Sequence, residues 1–176
     1  IIAGIQEAET QPESISNQAF MSALYGTHPY ALDESGTVVS VNAIGNQDLA
    51  AFYQQYYSAK GAVIAMIGDL TREQAMKIAD EIADGLPKSA TPAPIPAVSL
   101  PQAANVQKIA HPASQSHILI GYPGMKRIDS DYFALYVGNY ILGGGGFVSR
   151  LTEEVREKRG LVYSVYSYFM PMQEIG

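Results

Sequence analysis

The chain has 176 residues, of which 47% are apolar and 16% charged, so its composition favours one or two compact domains and excludes an intrinsically disordered protein. A formal net charge of −6 with mostly scattered basic residues argues against a nucleic-acid surface. No apolar run approaches the roughly 20 residues that a transmembrane helix needs. We therefore expect neither a nucleic-acid partner nor a membrane partner.

The N-terminal part of the chain predicts helices. Residues 1–23 are typical of two helical stretches interrupted at Pro12. Asn46 is a predicted N-cap, and the apolar residues behind it recur at helical spacing as far as Tyr57. At this spacing a tyrosine-rich face more often packs in a core than binds a peptide.

A strand and a second amphipathic helix are predicted next. Residues 61–67 form a short apolar run that is typical of a buried strand. Thr71 and Gln74 form a capping-box pattern for a helix that ends at Gly85.

The clearest predicted boundary is a segment rich in proline, alanine and serine. Residues 88–101 carry three prolines at alternate positions, which favours a stiff, extended linker and excludes a helix. Beyond it, residues 106–111, 117–122 and 161–169 predict strands, and a helical apolar stripe and a charged helix lie between the second and third. This order of elements predicts the α+β class.

One stretch carries a family resemblance. Residues 142–167, LGGGGFVSRLTEEVREKRGLVYSVYS, resemble a recurrent segment of the pitrilysin/insulinase-type zinc peptidases, which include the mitochondrial processing peptidases and bacterial relatives. The segments YGTHPY and FYQQYYSAKGAVIAMIGDL fit the same family in order, so the resemblance covers nearly the whole chain.

The resemblance implies a fold and a division into domains. Two α+β halves of the family enclose a chamber, each with a mixed or antiparallel sheet and helices packed on one face. Residues 1–87 then correspond to the C-terminal part of the first half, 88–101 to the linker, and 102–176 to the N-terminal part of the second half.

The resemblance also implies a reaction and two site residues. In the family, one half binds zinc through H-x-x-E-H and a more distant glutamate, and the other half contributes an arginine and a tyrosine seven positions apart. Arg156 and Tyr163 match that spacing and are the predicted catalytic and substrate-binding residues. The tyrosine hydroxyl would donate to the carbonyl oxygen under attack, and the arginine would hold neighbouring peptide carbonyls.

The sequence departs from the family at the metal site. It contains no H-x-x-E-H, and the third-ligand glutamate is expected near Gly4, where the nearest carboxylate is Glu7. We expect zinc in the complete enzyme and none bound by this chain, which we predict to be inactive alone. Either the motif lies upstream, in a part of the protein missing from this fragment, or a separate homologous subunit carries it. We favour the separate subunit.

The implied partners are an unfolded peptide substrate and either a zinc-bearing homologous subunit or the missing half of the same protein. A cysteine-free chain is compatible with the bacterial periplasm and equally with the cytoplasm. Two other functions stay open: a catalytically inactive scaffold subunit of the family, and a peptide-binding module.

Each candidate residue also has a structural interpretation. Arg156 lies among glutamates, which is typical of a solvated helix face with weak ion pairs. Tyr163 alternates with apolar residues and is a candidate for core packing. The run of four glycines at 143–146 favours a turn, with contact to substrate as the lesser alternative. The three histidines, which lack zinc-peptidase spacing, are predicted to be structural or exposed: His28, His111 and His117.

Overall fold

The computed structural model describes residues 1–88 and 93–176. Contacts divide the chain into two compact units, one formed by residues 1–5 and 35–94 and the other by residues 6–34 and 95–176. Part of the predicted linker, residues 89–92, lies outside the described residues. The domain boundaries at 87 and 102 stay a prediction.

The first two helices divide at the proline, as predicted. Helix α1 spans Ile2–Ala8 and helix α2 spans Pro12–Tyr25. Pro12 is the first residue of α2, a position where its missing N–H costs no helical hydrogen bond.

Three helices lie in the described residues of the 35–94 part of the first unit: α3 at Val38–Ala43, α4 at Asn46–Tyr56 and α5 at Arg72–Asp84. The predicted capping box of α5 is confirmed, because Gln74 N–H donates to Thr71 Oγ1 at 3.2 Å and Thr71 N–H donates to Gln74 Oε1 at 2.8 Å.

Helix α4 begins differently from the prediction. Asn46 is its first helical residue rather than its N-cap, and Asp48 Oδ2 accepts the Gly45 N–H at 2.8 Å. Its aromatic side chains are exposed, so the prediction that this face packs in a core is wrong. Phe52 is 54% exposed and lies against Tyr56, with ring centroids 4.6 Å apart.

The second unit contains α2, a short 3₁₀ turn at Pro29–Ala31, and α6 at Tyr132–Asn139. Three shorter helical turns follow α6: a π-helical turn at Tyr140–Gly144, a 3₁₀ turn at Gly146–Val148, and a π-helical segment at Thr152–Glu157. The backbone segment at 124–127 pairs with the one at 172–176, where Arg127 N–H donates to the Met172 carbonyl at 2.9 Å. Tyr25, Ala31 and Met125 are buried in this unit.

The predicted α+β fold with a mixed or antiparallel sheet is wrong. In residues 1–88 and 93–176 there is no β-strand, and a single parallel bridge joins Lys126 and Met172. The segments predicted to be strands, 61–67, 106–111, 117–122 and 161–169, have no regular secondary structure, and their backbones form no ladder. An apolar, β-branched run favours extended backbone, whereas a strand also needs a partner to accept its hydrogen bonds.

None of the helices in the described part of the chain is both long enough and apolar enough to cross a membrane.

Candidate functional site

Arg156 lies near the end of the π-helical segment Thr152–Glu157. The wider hydrogen bonding is visible where the Lys158 N–H donates to the Glu153 carbonyl, five residues back, at 3.0 Å. Single π-helical turns occur frequently at functional sites, because they rotate side chains away from their ordinary helical positions.

A glycine turn brings Tyr163 back towards Arg156. Gly160 has φ +61°, a left-handed conformation that favours glycine. Its N–H donates to the Arg156 carbonyl at 2.8 Å, and the N–H of Leu161 donates to the Val155 carbonyl at 3.2 Å. The chain therefore leaves the helical segment in a fixed direction, three residues before Tyr163.

The structure brings the two predicted site residues together. The guanidinium carbon of Arg156 lies over the Tyr163 ring, 5.9 Å from its centroid. The Tyr163 side chain is 88% exposed, which excludes the alternative of a packed core tyrosine. The Arg156 side chain is partly exposed, at 31%, and the catalytic roles of both residues stay a prediction.

Phe147 is a third member of this cluster that the sequence did not single out. Its ring centroid lies 5.1 Å from the guanidinium carbon of Arg156. A cation within about 6 Å of an aromatic centroid is attracted by the ring. The sequence shows only that Phe147 directly follows the glycine run, and it does not show that the ring contacts Arg156.

A buried hydroxyl network fixes the start of this segment. Ser149 Oγ donates to Thr152 Oγ1 at 3.0 Å, and Thr152 Oγ1 donates to the Gly146 carbonyl at 2.9 Å. Ser149 and Thr152 are 1% and 5% exposed, so these bonds are shielded from water. The network holds the turn that carries Phe147 against the segment that carries Arg156.

Other charged side chains in and directly after this segment form ion pairs with one another. Lys158 pairs with Glu154 at 2.7 Å, and Arg159 pairs with the same carboxylate at 3.0 Å. Hydrogen bonds from Lys158 and, to a smaller extent, from Arg159 lower the pKa of Glu154. The pKa of Lys158 is raised mainly by its hydrogen bond to Glu154. Arg156 pairs with the adjacent, exposed Glu157 at 2.8 Å, a contact that a substrate carbonyl can replace at small cost.

The glycine run borders a groove of about 470 Å³ in the second unit, which has tyrosines on its walls. Asn139 Nδ2 donates to the Ser167 carbonyl at 3.1 Å, and Ser167 Oγ donates to Asn139 Oδ1 at 2.7 Å. The predicted turn is confirmed, because Gly143 lies in the π-helical turn Tyr140–Gly144. Gly143 is also buried against Ser167, which leaves no room for a side chain at this position. Tyr166 and Tyr168 are 65% and 60% exposed and stack on each other.

The histidines match their structural interpretation. His28 is buried, its Nδ1 accepts the Tyr30 N–H at 3.1 Å, and its Nε2 lies 2.8 Å from the Pro96 carbonyl oxygen. His111 and His117 are exposed. In the part of the chain that the structure describes, no three His, Cys, Asp or Glu side chains are grouped so as to hold a metal ion. The described residues thus do not fit a zinc site.

Comparison with known families gives a match over most of the chain. Residues 43–176 match the family model described as the peptidase M16 inactive domain. A crystal structure of a peptidase M16 inactive domain from Pseudomonas fluorescens is similar to 99% of this chain, with 40% identity and a TM-score of 0.85, and the match covers 42% of that protein.

Curated bacterial proteins are similar over nearly the whole chain. An uncharacterized zinc protease of Streptomyces coelicolor is 32% identical over 100% of this chain and 39% of its own length. One from Mycobacterium leprae is 31% identical over 95% of this chain and 38% of its own length. One from Bacillus subtilis is 26% identical over 98% of this chain and 41% of its own length. The chain therefore spans about two fifths of the curated relatives it matches.

Proposed function

Because this chain belongs to the pitrilysin/insulinase-type family of zinc peptidases, through its peptidase M16 inactive domain, we propose that it is the substrate-clamping part of a zinc metallopeptidase system. The observation that carries this proposal is the contact between the Arg156 guanidinium and the Tyr163 ring on an exposed surface.

The roles follow from the two functional groups. The guanidinium of Arg156 offers several N–H donors in a planar array, which suits carbonyl oxygens of an extended peptide. The Tyr163 hydroxyl offers one donor to the carbonyl oxygen on which negative charge develops. Neither group cleaves a peptide bond by itself, so hydrolysis takes place at a zinc site on another segment or subunit.

The proposed partners follow from the assignment of substrate binding to this chain and of hydrolysis to a zinc site elsewhere. The substrate is an unfolded peptide, since extended backbone exposes the carbonyls that Arg156 would hold. The zinc ligands belong to a homologous subunit or to the rest of the same protein. Isolated residues 1–176 are expected to cleave no peptide.

The test is a peptide-cleavage assay on the full-length protein together with its zinc-bearing partner. We expect Tyr163→Phe to lower kcat by about 10²–10³, the loss that follows removal of one oxyanion donor in other enzymes. Arg156→Ala should lower kcat/KM mainly through a higher KM, because it removes contacts to neighbouring peptide carbonyls. Arg150→Ala and Tyr122→Phe are matched controls, because both side chains are exposed and lie outside the Arg156–Tyr163 contact.

The two control variants distinguish the loss of a specific substrate contact from a general effect of substituting an exposed side chain. Wild-type turnover in both Arg156→Ala and Tyr163→Phe would show that the assigned roles are wrong. If the complete assembly binds zinc and cleaves nothing, the protein is instead an inactive scaffold subunit of the family.

A further inference from the structure

The aromatic ring of Phe147 contacts the guanidinium of Arg156, although Phe147 was not among the predicted site residues. Its centroid is 5.1 Å from the guanidinium carbon, closer than the 5.9 Å of the Tyr163 ring. The ring is nevertheless 79% exposed, so core packing does not explain its position.

The backbone that carries Phe147 is held rigidly. Gly146 has φ +62°, and its carbonyl accepts both the Ser149 N–H at 3.1 Å and the Thr152 hydroxyl at 2.9 Å. The Thr152 side chain belongs to the same helical segment as Arg156. A single buried network therefore fixes the relative position of the ring and of the guanidinium.

We propose that Phe147 is a positioning residue that holds the Arg156 guanidinium in its peptide-binding orientation. The inference deepens the proposed function and rests on it. A flexible arginine samples many rotamers and loses them on binding, so a ring that pre-orients it lowers that entropic cost. The ring contact coexists with the ion pair between Arg156 Nη1 and Glu157 at 2.8 Å, so a ring beside the guanidinium does not occupy its N–H donors. Phe147 would thus keep the donors available for substrate carbonyls.

The test combines kinetics with a direct measurement on Arg156. In the full-length protein with its zinc-bearing partner, Phe147→Leu is expected to raise KM about two- to fivefold, the range of an exposed cation–π contact, with little change in kcat. Phe147→Tyr keeps the aromatic face and should restore the wild-type KM. In the Arg156→Ala background, Phe147→Leu should have no further effect, because the residue it positions is gone.

An NMR readout keeps this inference separate from the proposed function. The δ-methylene protons of Arg156, assigned in arginine-labelled full-length protein with an Arg156→Lys reference, should lose part of their ring-current shift in Phe147→Leu and regain it in Phe147→Tyr. An unchanged shift, or equal effects of Phe147→Leu with and without Arg156, would overturn the positioning role. Cleavage that is insensitive to Arg156→Ala, with the ring-current change present, would instead contradict the proposed function alone.

Discussion

The imidazole of His28 bonds to the backbone of Pro96, 68 positions further along the chain, with Nε2 2.8 Å from the carbonyl oxygen. Because Nδ1 of the same ring accepts the Tyr30 N–H, the proton is on Nε2, which donates to Pro96. This bond fixes part of the predicted linker, residues 88–101, against the turn that follows α2. His28 therefore uses both ring nitrogens within the second unit.

We expect His28→Ala to lower the free energy of unfolding by about 1–3 kcal/mol, because the Tyr30 N–H and the Pro96 carbonyl lose a shielded partner. The measurement is urea unfolding of the 176-residue chain. His111→Ala is the matched control. That ring is exposed and accepts a local bond from Ala113 N–H at 3.2 Å. Equal losses in the two variants would contradict a structural role specific to His28.

Gly143 is expected to tolerate no side chain. A Cβ at this position would overlap the side chain of Ser167 and approach its backbone N to 2.5 Å, and Leu151 Cδ1 to 2.8 Å. Gly143→Ala should therefore destabilise the protein by about 1–3 kcal/mol through overpacking. It should also disrupt the Asn139–Ser167 hydrogen bonds beside the groove, which NMR of the Asn139 side-chain amide can follow.

Gly138→Ala is the control for that substitution. Gly138 lies within α6, and a Cβ there meets nothing within 4 Å. Alanine should then stabilise the helix by up to about 1 kcal/mol, since it loses less backbone entropy than glycine on folding. A loss of stability at 138 as large as that at 143 would show that helix geometry, rather than the contact with Ser167, sets the cost.

Tyr25 makes the stability depend on alkaline pH. Burial, and secondarily the nearby Tyr30, raise the pKa of Tyr25 above its ordinary value of about 10. The folded state then holds this proton more tightly than the unfolded state does. The resulting stability is complete below pH of about 10 and is lost as the pH rises through the folded-state pKa.

Urea unfolding between about pH 8 and pH 11 checks this dependence. Tyr25→Phe should flatten the alkaline decline, whereas the exposed Tyr122→Phe should leave it as in the wild type. If the unfolding free energy of Tyr25→Phe falls with pH as steeply as that of the wild type, groups other than Tyr25 cause the decline.

Local signals predicted the helices well and the sheet wrongly, for a physical reason. The Thr71–Gln74 capping box and the proline at position 12 act within one turn of backbone, so a few residues suffice to determine them. A strand depends on a partner elsewhere in the chain, and residues 61–67 and 117–122 carry no signal that names one. Their apolar character therefore predicted strands that the described part of the chain does not form.

The candidate site was predictable only in part for the same reason. The family resemblance identified Arg156 and Tyr163, and the turn that joins them is local, so the two lie together in the structure. Phe147 was missed, since its contact with Arg156 depends on the hydroxyl network of Ser149 and Thr152. Two hydroxyl residues three positions apart do not reveal in sequence that both are buried.

Gly160 gives a test of the turn that connects the two site residues. Its φ of +61° is strained for a residue with a Cβ, and nothing lies within 4 Å of a Cβ built there, so backbone strain is the sole expected cost. Gly160→Ala should cost about 1–2 kcal/mol of stability and, by moving Tyr163 relative to Arg156, lower peptide cleavage by the complete assembly. Gly160→Asn should recover most of both losses, because asparagine adopts the left-handed conformation more readily than alanine does. If the alanine variant loses stability but cleaves peptide normally, the geometry of this turn does not matter for substrate clamping.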